Sequence, residues 1–358
     1  MVSRWKTEFL QNTPSIFERK IGRVVVEGLA AKLPVIGTDS GGNPDIFEDV
    51  YNGLKNNPIL VTGCRRSGTT LVGTLLSEAK NAHYVNEIFN PQMGSLADQG
   101  IFSDWFTYIT TENANQYAPA IRAFLKRKQT KPDNIQGLSL LTPRLYARIL
   151  KYYLRKIRYS PRLVIKDPIA CFSTDWLSQT FSMDVVVIVC HPAAFVYRIL
   201  KHNWLVDFDR QIISQDMLMR DHLNKYRGML ETDKKEDPIR NASLQWLITY
   251  HVLHHYARDN QNYIVIRHED ISMNPLDIFA YLFSRLSLYY DNNVHFKILE
   301  YTSASNPVEA PKRQVTNLKR NSKSVAFRWK QFLSTEQIAQ VRRIVEPVSC
   351  HYYDPSEW

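Results

Sequence analysis

Residues 58–76 read PILVTGCRRSGTTLVGTLL, and this stretch decides the fold. An apolar run of strand type, Pro58–Thr62, enters a turn bounded by Gly63 and Gly68, and a helix opens on Thr69 and Thr70. A G-x-x-x-x-G loop between strand and helix wraps backbone N–H groups around phosphate oxygens and aims a helix N-terminus at the anion. In an ATP-type loop a Lys and then a Ser or Thr follow the second glycine, the Lys reaching the β/γ-phosphates. Here Thr69 follows Gly68 directly, and the cations Arg65 and Arg66 lie inside the loop. Such a loop suits a phosphate-like group other than an ATP triphosphate. A glycine-bounded turn can equally be only a tight connection, so the rest of the chain must decide.

Outward from this stretch, strand and helix patterns alternate. Leu163–Lys166 and Tyr263–Arg267 read as strands. Asp184–Val189 (DVVVIV) has the unbroken β-branched run of a parallel strand buried on both faces. Helical patterns cover Thr69–Lys80, most of 101–157, Asn241–Arg258, and segments near 275–287 and 335–345. The alternation predicts an α/β fold, a P-loop type parallel β-sheet flanked by helices on both faces. Residues 1–57 differ in texture and predict a short N-terminal βα appendage to a main domain at 58–358. One βα unit cannot bury both faces of its strand alone, so the appendage must pack on the main domain or stay loosely ordered.

Composition narrows the function. A hydrophobic fraction of 44% with 22% charged residues is that of a globular chain, with no apolar run near the roughly 20 residues of a membrane span. The opening MVSRWKTEFLQNTP has no apolar segment of secretory type, and a cytoplasmic enzyme is expected. The net charge of +10 is scattered among acids rather than set in a dense stripe, which argues against nucleic acid and for a small polyanion. Lys312-Arg313 and Lys319-Arg320 are local clusters of that charge. The cysteines (Cys64, Cys171, Cys190, Cys350) lack metal-type spacing and read as thiols. His251, His254 and His255 can share a helical face, but no HExxH pattern or obvious third ligand accompanies them, and no metal is expected.

The order T-G-x-x-R-S-G-T-T-L at 62–71 resembles the 5′-phosphosulfate-binding loop of sulfotransferases that use 3′-phosphoadenosine-5′-phosphosulfate (PAPS). The resemblance runs from residue 58 to about 355 and strings five motifs in family order. They are the loop, Glu87 in HYVNEIFNP, Lys166-Asp167-Pro168, the segment VVVIVCHPAAFVYRILKHNW, and LKRNSKSVAFRWKQFLS. In this pattern the chain is more similar to bacterial and tyrosylprotein sulfotransferases than to cytosolic drug-metabolising ones.

The resemblance implies roles. Arg65, Arg66, Ser67, Gly68, Thr69 and Thr70 would form the cradle, with Arg66 stabilising the bridging oxygen. Glu87 would be the base for an acceptor hydroxyl; cytosolic members use His, and His83 is the nearest one here. Lys166 would face the phosphosulfate, since the C-terminal end of a parallel strand points into the ligand crevice. Its alternative is a local ion pair with Asp167, which strand geometry disfavours because adjacent residues face opposite ways. Where the family has Arg before H-P or N-P and Ser eight residues later, this chain has Cys190 and Arg198. A thiol supplies no positive charge; Arg198 either swings a guanidinium into the 3′-phosphate pocket or points to solvent. Arg320 and Ser322 are candidate phosphate contacts, Lys319 a weaker one, and Trp329 a packing anchor. Glu269 and Asp270, in IVIRHEDISMNP, would tie down loops.

A second resemblance covers residues 14–54. GRVVVEGLAAKLPVIGTDSGGNPDIFEDVYNGL is similar to the nucleotide-sugar-binding segment of retaining glycosyltransferases with two Rossmann-type domains. Glu27 matches the second of that family's paired glutamates, whereas Glu18 is one place early and Arg19 stands at the acid's position. A working enzyme of that kind needs two full domains, so the segment reads as a remnant or fusion scar. The expected function is sulfuryl transfer from PAPS to an acceptor hydroxyl, with the remnant hinting by association at a glycan or glycolipid. The alternatives are a non-catalytic binding protein of the same fold and, less favoured without a P-loop Lys, a nucleotide kinase.

Overall fold

The computed structural model describes residues 57–130, 161–233, 236–258, 260–309 and 318–358. The expected appendage, except Asn57, and the helical stretch beyond residue 130 lie outside the described residues.

The strands are β1 (Ile59–Gly63), β2 (Ala82–Asn86), β3 (Arg162–Lys166), β4 (Asp184–Val189) and β5 (Tyr263–Arg267). They form one parallel sheet in the order β2-β3-β1-β4-β5. In register, Ile59 of β1 lies level with Val164 of β3 and Asp184 of β4, and Gly63 lies level with Ile188. The principal helices are α1 (Thr69–Leu76), α2 (Ala114–Thr130), α3 (Thr174–Phe181), α4 (Pro192–His202) and α5 (Pro238–Ala257). After β5 come α6 (His268–Met273), α7 (Pro275–Arg285), α8 (Asn292–Thr302), α9 (Ser322–Ala326) and α10 (Thr335–Ser349).

Side chains alternate across a strand, so each strand supplies two cores. Leu60, Ile165, Val185 and Val187 face the core built with α2, α3, α5 and α10. Ile59, Val61, Val186 and Ile188 face the opposite core, with Val72 and Leu75 of α1, Phe279 and Phe283 of α7, and Ile298 of α8. Each fully buried aliphatic side chain contributes about 1.5–3 kcal/mol. The three-layer α/β sandwich expected from the alternation is therefore present.

The differences lie at the edges. Strand β2 was not expected, because only Ala82 and Val85 are buried in its run AHYVN, the pattern of a half-exposed edge strand. Helix α1 stops at Leu76 rather than reaching Lys80, where Ser77 turns its hydroxyl onto the Gly73 carbonyl at 2.6 Å. Residues 101–113 are loops and turns, not helix, and the helical part of that stretch begins at Ala114. Here Phe102 and Phe106 are core residues delivered by irregular chain. No helix among the described residues is long and apolar enough to cross a membrane.

An all-parallel sheet places every strand's C-terminal end at one edge. The P-loop follows β1, Glu87 follows β2, Lys166 ends β3, Cys190 follows β4, and His268 follows β5. Topology alone thus gathers residues up to about 200 positions apart in the chain.

Candidate active site

The loop between β1 and α1 has φ 141° at Gly63, 65° at Arg66 and 102° at Gly68. A Cβ on Gly63 would meet the Ile188 carbonyl oxygen at 2.3 Å, and one on Gly68 would meet the His268 ring at 2.6 Å. Both glycines are therefore needed for conformation and for close approach. Tyr250 of α5 anchors the loop: its hydroxyl donates to the Ile188 carbonyl at 2.7 Å and accepts the Cys64 amide at 3.2 Å. No side chain caps the N-terminus of α1, which leaves its first-turn amides for a ligand.

On the β3 side of the loop, charge is internally paired. Lys166, 4% exposed, donates from Nζ to Glu87 Oε1 at 2.5 Å. Asn90 Nδ2 donates to the other carboxylate oxygen at 2.7 Å. Gly73 makes room for the lysine, since a Cβ there would stand 3.0 Å from Lys166 Cβ. Glu87 itself has φ 31°, a left-handed conformation uncommon for a residue other than glycine, asparagine or aspartate. Its loop is held by the Lys166 carbonyl, which accepts the Glu87 amide at 2.8 Å. Asp167 does not pair with Lys166. It is buried and accepts the amides of Phe89 (2.8 Å), Ile169 (2.9 Å) and Ala170 (3.2 Å). Burial pushes its carboxyl up to about 7, against the amides that favour the charged form.

On the β4 side, charge is unpaired. Cys190 is fully buried, and burial pushes its thiol up to about 12, so it carries no charge. Arg198, on the second turn of α4, donates from Nη1 to the Arg66 carbonyl at 2.8 Å, while its Nη2 is buried without a partner. It therefore turns toward the loop rather than away into solvent. Arg66 contacts His202 Nε2 at 2.9 Å, and its guanidinium lies 5.6 Å from the Trp204 ring centroid. Burial lowers the pKa of Arg66 first, and repulsion from Arg198 and Arg320 lowers it further. None of these three arginines has a carboxylate partner among the described residues. A guanidinium does not deprotonate in proteins, so the three charges remain.

The other predicted residues are placed as follows. Arg65 turns its side chain into Trp105, Phe106 and Trp204, at 5.1, 5.4 and 5.7 Å from their ring centroids, and donates to the Trp204 carbonyl at 3.2 Å. Ser67 is buried in the loop, and on the first turn of α1 Thr69 is buried and Thr70 half-buried. Arg320 donates to the Lys319 carbonyl at 2.6 Å, whereas Lys319 is drawn to Glu300 at 2.5 Å. Ser322 is buried as the first residue of α9. His83 sits half-buried on β2. Trp329 is buried and stacks on His191 at 4.5 Å, and burial lowers the pKa of that histidine to about 3. Glu269 accepts the His191 amide at 3.0 Å and the Tyr353 hydroxyl at 2.9 Å. Asp270 pairs with Arg267 at 2.9 Å. Among the described residues no group of His, Cys, Asp or Glu has metal-holding geometry.

Sequence reading missed Asn90, Tyr250, His202, Trp204 and His268. Asn90 lay within the quoted HYVNEIFNP, where an Asn three residues after an acid is a readable turn signal. The others touch the loop only through tertiary contacts, as with Tyr250 on Cys64 across 186 positions.

A family model described as the sulfotransferase family matches residues 58–292. The chain belongs to the sulfotransferase family, whose members carry out sulfuryl transfer. No curated protein matches the sequence significantly. Among solved structures, the sulfotransferase domain from the curacin biosynthetic pathway is similar at 16% identity and a TM-score of 0.45, covering 83% of this chain and 99% of that one. A mouse sulfotransferase complexed with PAP is 11% identical with a TM-score of 0.42, covering 86% and 89%. A sulfotransferase from Mycobacterium avium is 11% identical with a TM-score of 0.41, covering 97% and 81%.

Proposed function

We propose that the protein moves a sulfuryl group from PAPS to the hydroxyl of an acceptor. The observation that carries this reading is the convergence of Arg66, Arg198 and Arg320, with no ion-paired carboxylate among the described residues, on a glycine-framed loop at a helix N-terminus. Unpaired guanidiniums in mutual repulsion are stabilised by an anion with several oxygens. The buried, unpartnered Nη2 of Arg198 fits a phosphate oxygen and supplies the charge that Cys190 lacks. The loop amides and Thr70 would take the 5′ end of the donor, with Arg320 and Ser322 closing over it.

The acceptor hydroxyl would approach Glu87, which takes its proton as the acceptor oxygen bonds to sulfur. The bond from sulfur to the 5′-phosphate oxygen breaks, and the electron pair leaves with the nucleotide bisphosphate. Lys166 and Arg66 neutralise the charge that develops on the sulfuryl and leaving phosphate oxygens. Lys166 already lies against Glu87, so a small shift of its ammonium toward the donor would free the carboxylate to act as base. A glycan or glycolipid acceptor is kept as the working choice from the resemblance at residues 14–54.

Cys190 favours one other reading, a protein of this fold that binds nucleotide without turnover. Radiolabelled PAPS with a panel of hydroxyl acceptors separates the two. Label transfer that Glu87→Gln abolishes supports the enzyme; tight PAP binding with no transfer to any acceptor supports the binding protein.

A further inference from the structure

Helix α5 reaches the P-loop through Tyr250, but its following turns line a different cavity of about 330 Å³. The polar lining is His251, His254 and His255 of α5, Arg258 at its C-terminal end, Lys225 from the preceding turn, and His351 just beyond α10. Tyr226, Pro347 and Val348 supply apolar walls, and among the described residues no carboxylate lines the space. We propose that this cavity is a second anion site, which takes a small phosphorylated or sulfated molecule independently of the P-loop.

The chemistry of the lining carries this. Lys225 and Arg258 are exposed cations at the rim, and His251 and His254 are half-buried imidazoles inside. The ring of His254 stacks on His351 at 4.2 Å and 10° between planes, and its Nδ1 contacts the Tyr352 hydroxyl at 3.2 Å. That stack fixes two of the cavity's lining rings against one another. The arrangement does not suit a metal, because parallel stacked imidazoles cannot aim their nitrogens at one point. Basic side chains face the imidazoles from every packed element: His222 and Lys225 from the turn, His255 of α5 with Arg258 just after it, and His351 from the end of α10. The nearby Asp221 is committed to Arg220 at 2.7 Å and to the Tyr108 hydroxyl at 3.0 Å. Burial, followed by this repulsion, lowers the pKa of both His251 and His254 to about 4. An anion between them reverses the repulsion and draws protons onto the rings, so affinity rises as pH falls.

The test is a titration of the full chain with inorganic pyrophosphate and, separately, nitrophenyl sulfate, read on the imidazole NMR signals of His254 and His351. A saturable shift with either probe is expected, and the tighter probe assigns phosphate or sulfate. Lys225→Gln with Arg258→Gln, both exposed, is expected to weaken binding about 10-fold or more in protein whose unfolding midpoint is unchanged. Lowering the pH from about 8 to about 5.5 is expected to tighten it by a similar factor. Arg66→Ala, which disables the P-loop, should leave these shifts unchanged. Shifts that stay linear in both probes, an affinity indifferent to the double substitution, or one that does not rise at low pH would overturn the proposal.

Discussion

The two walls of the P-loop crevice solve opposite problems. On the β3 wall, Lys166 and Glu87 meet at 2.5 Å and Asp167 is consumed by three amides, so charge is balanced within the protein. On the β4 wall, Arg66 and Arg198 crowd one another, with Arg320 close enough to add repulsion, and among the described residues no carboxylate forms an ion pair with them. Under the proposed function, the balanced wall would receive a neutral alcohol and keep a carboxylate in place for its proton, and the unbalanced wall would be completed by a polyanion. The difference then teaches where each half of a two-substrate reaction would belong.

Breaking the balanced wall should have the largest effect on turnover. Glu87→Gln is expected to lower kcat by ~10²–10⁴ while PAP affinity by calorimetry stays near wild type. Parallel losses in both would move Glu87 to the nucleotide side and erase the contrast. Breaking the loop that both walls share should act on stability instead. Gly63→Ala forces a Cβ to 2.3 Å from the Ile188 carbonyl at φ 141°, and a loss of ~3 kcal/mol or more in urea unfolding is expected.

Next in size is the unbalanced wall. Arg198→Ala is expected to weaken PAP binding about 10- to 150-fold, the worth of a charged hydrogen bond, with little change in unfolding midpoint. Unchanged binding would leave Cys190 uncompensated. The smallest increment, read per unit of pH, is a slope from the balanced wall. Asp167 has its pKa raised from 3.8 to about 7 by burial, so the native state holds its proton more tightly than the unfolded chain. Its contribution to stability is full below about 4 and is lost as pH rises through about 7, at no more than ~1.4 kcal/mol per pH unit. Asp167→Asn should flatten that slope; an identical slope in the variant would place the titration elsewhere.

Much of this was legible before any coordinates. The apolar run at 59–63, the paired glycines and the β-branched DVVVIV stretch announce a parallel sheet with a phosphate loop, because burial and φ demands act locally. The edge strand β2 was not legible, since half its residues face outward and its pattern is short. Nor was the partner of Lys166: strand geometry argued against Asp167, but only the sheet puts Glu87 beside it across 79 positions. Arg198 was legible as a candidate cation, and only the structure gave the direction of its side chain, toward the loop.

The sequence by itself determined the layer order, the loop and the residue types available at its rim, all properties of short windows of chain. Tertiary structure alone decided which charges cancel and which stay open, because Coulomb attraction falls with distance in space and takes no account of distance along the chain. For that reason Lys166 and Arg66, both cations at the same edge of one sheet, differ in what they can bind.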